Sequence, residues 1–138
     1  MHKAFVDGTC RPNPGQGAYG FIIYDATGKE LRRENGFVGE NVTSIIAEYT
    51  AVIRALEAAR AMGIGKIAVF SDSQVTVKQL NGDSRVYEPR LKRLRRRTLA
   101  MRKRFEKVVF VYISREQNIT ADALANEFFS KDAVAGRG

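Results

Sequence analysis

The run Lys66-Ile67-Ala68-Val69-Phe70-Ser71 limits the fold of this chain most sharply. Four successive apolar residues leave it no face to turn to water, and it is too short to be a buried helix. A strand of this kind needs cover on both sides of its sheet, which is the condition of a parallel strand in an α/β protein. A helical segment precedes it. Thr43 or Ser44 caps that segment, Ile45, Tyr49, Val52 and Leu56 recur on one stripe, and Gly63 and Gly65 end it after Arg60. The apolar run therefore closes a right-handed crossover that began on a strand further upstream.

Two runs upstream have strand character. Lys3 to Thr9 is one, and it gives way to the turn-rich Pro12-Asn13-Pro14-Gly15. Ala18 to Asp25 alternates, with Tyr19, Phe21 and Ile23 on one face and Ile22 and Tyr24 on the other. The polar link Asp25-Ala26-Thr27-Gly28-Lys29 turns it into a hairpin returning through Glu30 to Val38. Gly15-Gln16-Gly17-Ala18-Tyr19-Gly20 spells GxGxxG, but a strand follows these glycines. The dinucleotide fingerprint needs a helix N-terminus at that point, so this reading fails.

Downstream, a helix over Ser73 to Leu80 and the loop Asn81-Gly82-Asp83-Ser84 lead to Pro89, well suited as the first residue of another helix. That helix carries Leu91, Leu94, Thr98, Met101 and Phe105 on one stripe, expected to pack on the sheet. Val108 to Ile113 is a fifth strand, Ser114 to Ile119 a polar loop, and Asn118 or Thr120 opens a last helix, Ala121 to Ser130. The order predicts an α/β fold with a mixed five-stranded sheet. Its first three strands are antiparallel, its last two parallel, and helices lie on both faces. One domain spans 1–130, and 131–138 is a loose tail.

The net charge of +8 is not spread along the chain. Residues 90–107 hold ten Lys or Arg against Glu106 alone, whereas the rest has 13 basic and 14 acidic residues. An excess confined to one helix is the footprint of a localised contact with a polyanion, the alternative being a merely solvated face. No apolar run approaches the roughly 18 residues of a membrane span, and Met1-His2-Lys3 opens without a signal-peptide pattern. Cys10 is the only cysteine, so an internal disulfide is excluded. These features predict a cytoplasmic protein without a membrane partner.

Four carboxylates stand where carboxylates need a reason. Asp7 ends an apolar strand. Glu48 lies about 40° from Val52 around its helix, at the edge of the buried stripe, with Ala51 and Val52 where a salt-bridge partner would be. Asp72 follows the buried strand, at the end where α/β sheets bind ligands. Asp122 is in the first turn of the last helix. Taken singly, a turn cap explains Asp7, an N-cap Asp72 and the helix dipole Asp122. If the first and fourth strands are neighbours, however, Asp7 and Asp72 approach each other, Glu48 can lean over the same strand ends, and Asp122 completes the group if the last helix docks there. Without matching cations they would repel one another, and divalent metal ions are the natural answer.

Taken together, Phe5-Val6-Asp7-Gly8-Thr9, Asn13-Pro14-Gly15, Ala47-Glu48-Tyr49, Ser71-Asp72-Ser73-Gln74, Arg115-Glu116-Gln117-Asn118 and Ala121-Asp122-Ala123-Leu124-Ala125 resemble type 1 ribonuclease H over nearly the whole chain. The resemblance implies an endonuclease that cleaves the RNA strand of an RNA·DNA hybrid to 5′-phosphate and 3′-hydroxyl ends, using two Mg²⁺ ions, with Mn²⁺ as the substitute. It implies that Asp7 bridges both metals, that Asp122 joins one site, and that Glu48 and Asp72 join the other. Gly8, Cys10 and Gln74 match hybrid-contacting positions, and Asn13 and Thr43 match positions near the DNA phosphate. Ser44, Arg115 and Asn118 fall in substrate-facing loops.

This chain departs from the better-known members in two places. Arg115-Glu116-Gln117-Asn118 replaces a loop that commonly holds a histidine, and Ser44 and Ile45 stand where an asparagine pair reads the hybrid. The inserted basic protrusion of some relatives is missing. Arg93, Arg96, Arg97 and Lys103 on the basic helix are expected to substitute for it as phosphate contacts. Two other classes stay open: a catalytically silent binder of hybrid or double-stranded RNA, and a nuclease of the same fold acting on DNA.

Overall fold

In a computed structural model that describes residues 1–137, the chain runs β1 (His2–Arg11), β2 (Gly15–Tyr24), β3 (Glu30–Val42), α1 (Ser44–Ala61), β4 (Lys66–Ser71), α2 (Gln74–Leu80), α3 (Pro89–Arg102), β5 (Lys107–Tyr112), a 3-10 turn (Arg115–Gln117) and α4 (Ile119–Arg137). The sheet order is β3-β2-β1-β4-β5. β1 and β3 are antiparallel to β2, β4 is parallel to β1, and β5 is parallel to β4. This is the mixed sheet expected from the apolar runs, and the glycine-rich 15–20 stretch lies inside β2.

Strand alternation divides the side chains of β1 between two layers. Ala4 and Val6 join Phe21, Ile23, Ile67 and Val69 beneath Tyr49, Val52 and Leu56 of α1. Phe5 and Asp7 take the other face, where α4 packs on β1, β2 and β3. Helices come unusually close at two glycines. A Cβ on Gly8 would lie 2.2 Å from the Ala47 carbonyl carbon of α1, and one on Gly20 would lie 2.6 Å from the Ala125 nitrogen of α4. Among the described residues, no helix is long and apolar enough to cross a membrane.

Several local expectations change. α1 is buried almost all round, not along one stripe, and Ile45 is only partly covered. The cause is α3, which packs on α1 and α2 and not on the sheet, because those helices already occupy that face. Glu57 of α1 pairs with Arg97 of α3 at 3.7 Å. β3 continues to Val42, as β2 supplies paired backbone as far as Gly15. α4 runs on to Arg137. Gly138, the end of the expected tail, lies outside the described residues.

Candidate metal centre

The parallel pairing of β1 with β4 brings two carboxylates together. Val6 is in register with Ser71, so the next residues, Asp7 and Asp72, leave adjacent strands side by side. Asp72 is not consumed as a helix cap, because Ser73 takes that role by accepting from the Thr76 N–H. Glu48 arrives from the second turn of α1, whose cap is Thr43. Its Oε1 accepts from the Gly8 N–H at 2.9 Å and its Oε2 from the Ser71 hydroxyl at 3.3 Å. One carboxylate oxygen from each of Asp7, Glu48 and Asp72 lies within 4.8 Å of the others.

Asp122 stands outside that triad but lines the same cleft of about 260 Å³, together with Gly8, Cys10, Asn13, Ser44 and Arg115. Its carboxyl reaches the Asp7 side chain. Asn126, one turn later, holds it by donating Nδ2 to the Asp122 Oδ1 at 3.1 Å and to its carbonyl at 2.9 Å.

The electrostatics are those of a cluster lacking counter-charge. Asp7 and Glu48 are only 4% and 5% exposed. Burial is the main cause that pushes both carboxyls up, and the neighbouring Glu48 carboxylate pushes Asp7 further, to about 11. Asp7 thus keeps its proton and donates it to Glu48. Burial also raises Asp72, opposed by the Arg115 charge and by an amide hydrogen bond from Asn118. The donor set is all oxygen, as hard divalent cations require, and such an ion would relieve the repulsion that now holds protons in the cleft.

Asn118, expected in the substrate-facing loop, is 1% exposed and cannot form a surface contact. Its Nδ2 donates to the Val6 carbonyl at 2.8 Å, beside Asp7, while the Asn118 backbone carbonyl accepts from the Asp122 N–H at 3.2 Å as the first bond of α4. The buried side-chain amide thereby links the segments bearing Asp7 and Asp72, and among the described residues its Oδ1 has no partner. Asn118→Ala is expected to weaken Mn²⁺ binding about 10- to 100-fold, the usual effect of losing a group that orients metal ligands. Calorimetric titration checks this, and unchanged affinity would mean that the amide serves the fold alone.

The other expected contacts divide into two groups. Asn13 and Ser44 are joined on the cleft wall, through Asn13 Nδ2 to Ser44 Oγ at 3.2 Å and the Ser44 N–H to Asn13 Oδ1 at 3.1 Å. The Cys10 thiol, raised by burial, donates to the Val42 carbonyl at 3.3 Å. Thr43 spends its hydroxyl on the helix cap. Gln74, Arg93, Arg96, Arg97 and Lys103 are exposed and lie outside the cleft. Ser71 and Asn126 were not singled out from sequence. Ser71 adjoins Asp72 in a polar run, and Asn126 is four residues after Asp122, spacings that carry a signal only once the carboxylates are placed.

A family model described as "Reverse transcriptase-like" matches residues 5–128. Ribonuclease HI of Halobacterium salinarum is 37% identical over 124 residues, which are 90% of this chain and 62% of that protein. The bifunctional protein Rv2228c of Mycobacterium tuberculosis is 32% identical over 130 residues, 94% of this chain and 35% of that protein. The chain thus spans less than two thirds of either relative. Among solved structures, RNase H1 of H. salinarum superposes with a TM-score of 0.90 at 35% identity, covering 94% of this chain and 98% of that one. LC11-RNase H1, in complex with an RNA/DNA hybrid, gives a TM-score of 0.86 at 35% identity, covering 92% of this chain and 95% of that one.

Proposed function

Because the chain belongs to the type 1 ribonuclease H family, we propose that it hydrolyses the RNA strand of RNA·DNA hybrids, leaving 5′-phosphate and 3′-hydroxyl ends, with two Mg²⁺ ions at its carboxylate cluster. The observation that carries this reading is the convergence of Asp7, Glu48 and Asp72 within 4.8 Å, with Asp122 at the rim. Ions bound there supply Lewis-acid polarisation of a phosphate and a water of lowered pKa. Mn²⁺ satisfies the same oxygen donors.

The residues of the chain hold and orient. Asp7, central to the cluster, would hold the ions together with Glu48 and Asp72. Glu48 is kept in place by Gly8 and Ser71, and Asp122 by Asn126. No imidazole lines the cleft, since His2, the only histidine, opens β1 at its other end. Arg115 is the one cation among the cleft residues, placed to meet a phosphate oxygen that enters beside Asp72. Gly8, Cys10, Asn13, Ser44 and, from α2, Gln74 flank the path of a hybrid, with Thr43 near the DNA phosphate.

A gel assay of labelled hybrid, duplex DNA and duplex RNA, each with Mg²⁺ or EDTA, tests the reading. Cleavage confined to the hybrid and abolished by EDTA is the expected result. Hybrid binding without cleavage would make the chain a silent binder, and cleavage of duplex DNA would move it to another substrate class.

The solvent face of α3 gives a separate prediction. Arg93, Arg96 and Lys103 are exposed, whereas Arg97 is engaged with Glu57. Side chains of this kind hold phosphates and do not read bases. Changing all three to glutamine should lower the slope of log K against log salt by roughly 2 to 3 and leave turnover at saturating hybrid nearly unchanged. Fluorescence anisotropy across a salt series measures the slope, and an unaltered slope would make α3 a solvated surface only.

A further inference from the structure

A second concavity, of about 940 Å³, is several times larger than the carboxylate cleft and lies apart from it, between the loop 82–87 and α3. Five cations line it, Arg85, Lys92, Arg95, Arg96 and Lys103, against one acid, Asp83. Arg95 is anchored, its Nε donating to the Gln79 carbonyl at 2.8 Å. Among the described residues the other four form no ion pair. Tyr87, also in the lining, leaves 75% of its surface exposed and makes no ring or cation contact among the described residues.

Charge and ring together specify a ligand. Unpaired cations along a groove suit a run of phosphates, and an aromatic face left in water suits a base that can stack on it. In a duplex the bases already stack on one another and turn only their edges outward, so a double-stranded backbone could use the cations but not the ring. An unpaired strand can use both. The position is also suitable. α3 begins beside the carboxylate cleft, where the Arg90 Nη1 donates to the Asn41 carbonyl at 2.9 Å, just before Thr43 and Ser44.

We propose that this cleft binds a single-stranded segment continuing from the duplex at the carboxylate site, with Tyr87 stacking an unpaired base while Arg85 and Lys92 hold its phosphates. The inference rests on the hybrid reading only for the origin of that strand. The ligand chemistry, phosphate plus an unstacked base, is shared by DNA and RNA tails, so the experiment separates them.

The test is anisotropy binding of the intact protein, without divalent cations, to a fluorescein-labelled hybrid of fixed duplex length. The hybrid is either blunt or carries a short 5′ or 3′ tail of DNA or RNA. At least one tail should tighten binding about tenfold, the effect of one stacked base with its phosphates. Tyr87→Ala should remove that gain and leave blunt-hybrid affinity unchanged, while Tyr87→Phe should retain it. Because the side chain is exposed, neither variant threatens folding. The inference is overturned if no tail improves binding, if Tyr87→Ala weakens blunt and tailed hybrids alike, or if polyglutamate of equal charge competes for the tail as well as oligothymidylate does. Cleavage of the blunt hybrid with Mg²⁺, run in parallel, reports on the nuclease reading alone, and its failure would leave the tail comparison intact.

Discussion

Replacing Asp7 with asparagine is expected to reduce hybrid cleavage by about a thousandfold or more and, without divalent cations, to raise the melting temperature. Both effects come from the same charge. Asp7 sits between Glu48 and Asp122, 4% exposed, so no nearby carboxylate can compensate for losing a metal-ligand oxygen there. Electrostatic groups of that standing typically contribute 10²-fold or more to rate. For stability, burial and Glu48 raise Asp7 to about 11, and burial raises Glu48 to about 7, from the ordinary carboxylate range. Folded protein without cations therefore holds protons that the unfolded chain releases above about pH 4. The contribution of these two groups to stability is greatest below that pH and falls as pH rises toward 7 and beyond. Asparagine keeps the shape without the titrating charge, so the variant should melt a few degrees higher at pH 8 and vary less with pH. Mg²⁺ should raise the melting temperature of the original protein and not that of the variant. Melts by circular dichroism at pH 5 and pH 8, with and without Mg²⁺, give all four comparisons. A variant that melts lower at pH 8 without cations would show Asp7 to be a structural cap.

The part of this site legible in the sequence was the part carried by local periodicity. Glu48 stood out because helical geometry placed it beside Val52 and gave it no partner, and the structure buries it. The mixed character of the sheet followed from one apolar run and one hairpin, whereas the pairing of the first strand with the fourth entered only as a condition that the structure meets. What stayed hidden depends on contacts between distant segments. The stripe on α3 says that it is covered but not by what, and α1 covers it. Gly39-Glu40-Asn41-Val42 reads as loop until β2 is there to pair with it. Asn118 looks like an exposed loop residue, since nothing near it in sequence announces that the Val6 carbonyl awaits its amide. Asp72 was ambiguous between cap and ligand, and the neighbouring Ser73 removes the first reading by capping α2 itself.

Gly8→Ala should damage fold and site together, although it adds a single methyl group. The new Cβ would lie 2.2 Å from the carbonyl carbon of Ala47, 2.3 Å from the nitrogen of Glu48 and 2.4 Å from the oxygen of Ala47. All three are backbone atoms, so no rotamer change relieves the overlap and α1 must move bodily. The helix has little room to do so, being pressed between the sheet on one side and α3 on the other. Overpacking a buried position ordinarily costs about 1 to 3 kcal/mol, and a clash confined to backbone belongs at the top of that range. For a chain of this size the melting temperature should drop on the order of 10 °C. Because the Gly8 N–H also holds the Glu48 Oε1 at 2.9 Å, the shift that relieves the clash also separates Glu48 from Asp7 and Asp72. Protein that remains folded at low temperature should then bind Mn²⁺ at least about tenfold more weakly. Gly28→Ala is the control. Gly28 has φ +91° with open space around its absent side chain, so it should cost about 1 kcal/mol from backbone conformation alone and leave metal binding untouched. Thermal melts and Mn²⁺ titration of the two variants side by side decide the matter. If Gly8→Ala is no less stable than Gly28→Ala, the close approach of α1 to β1 is not what seats Glu48 in the cluster.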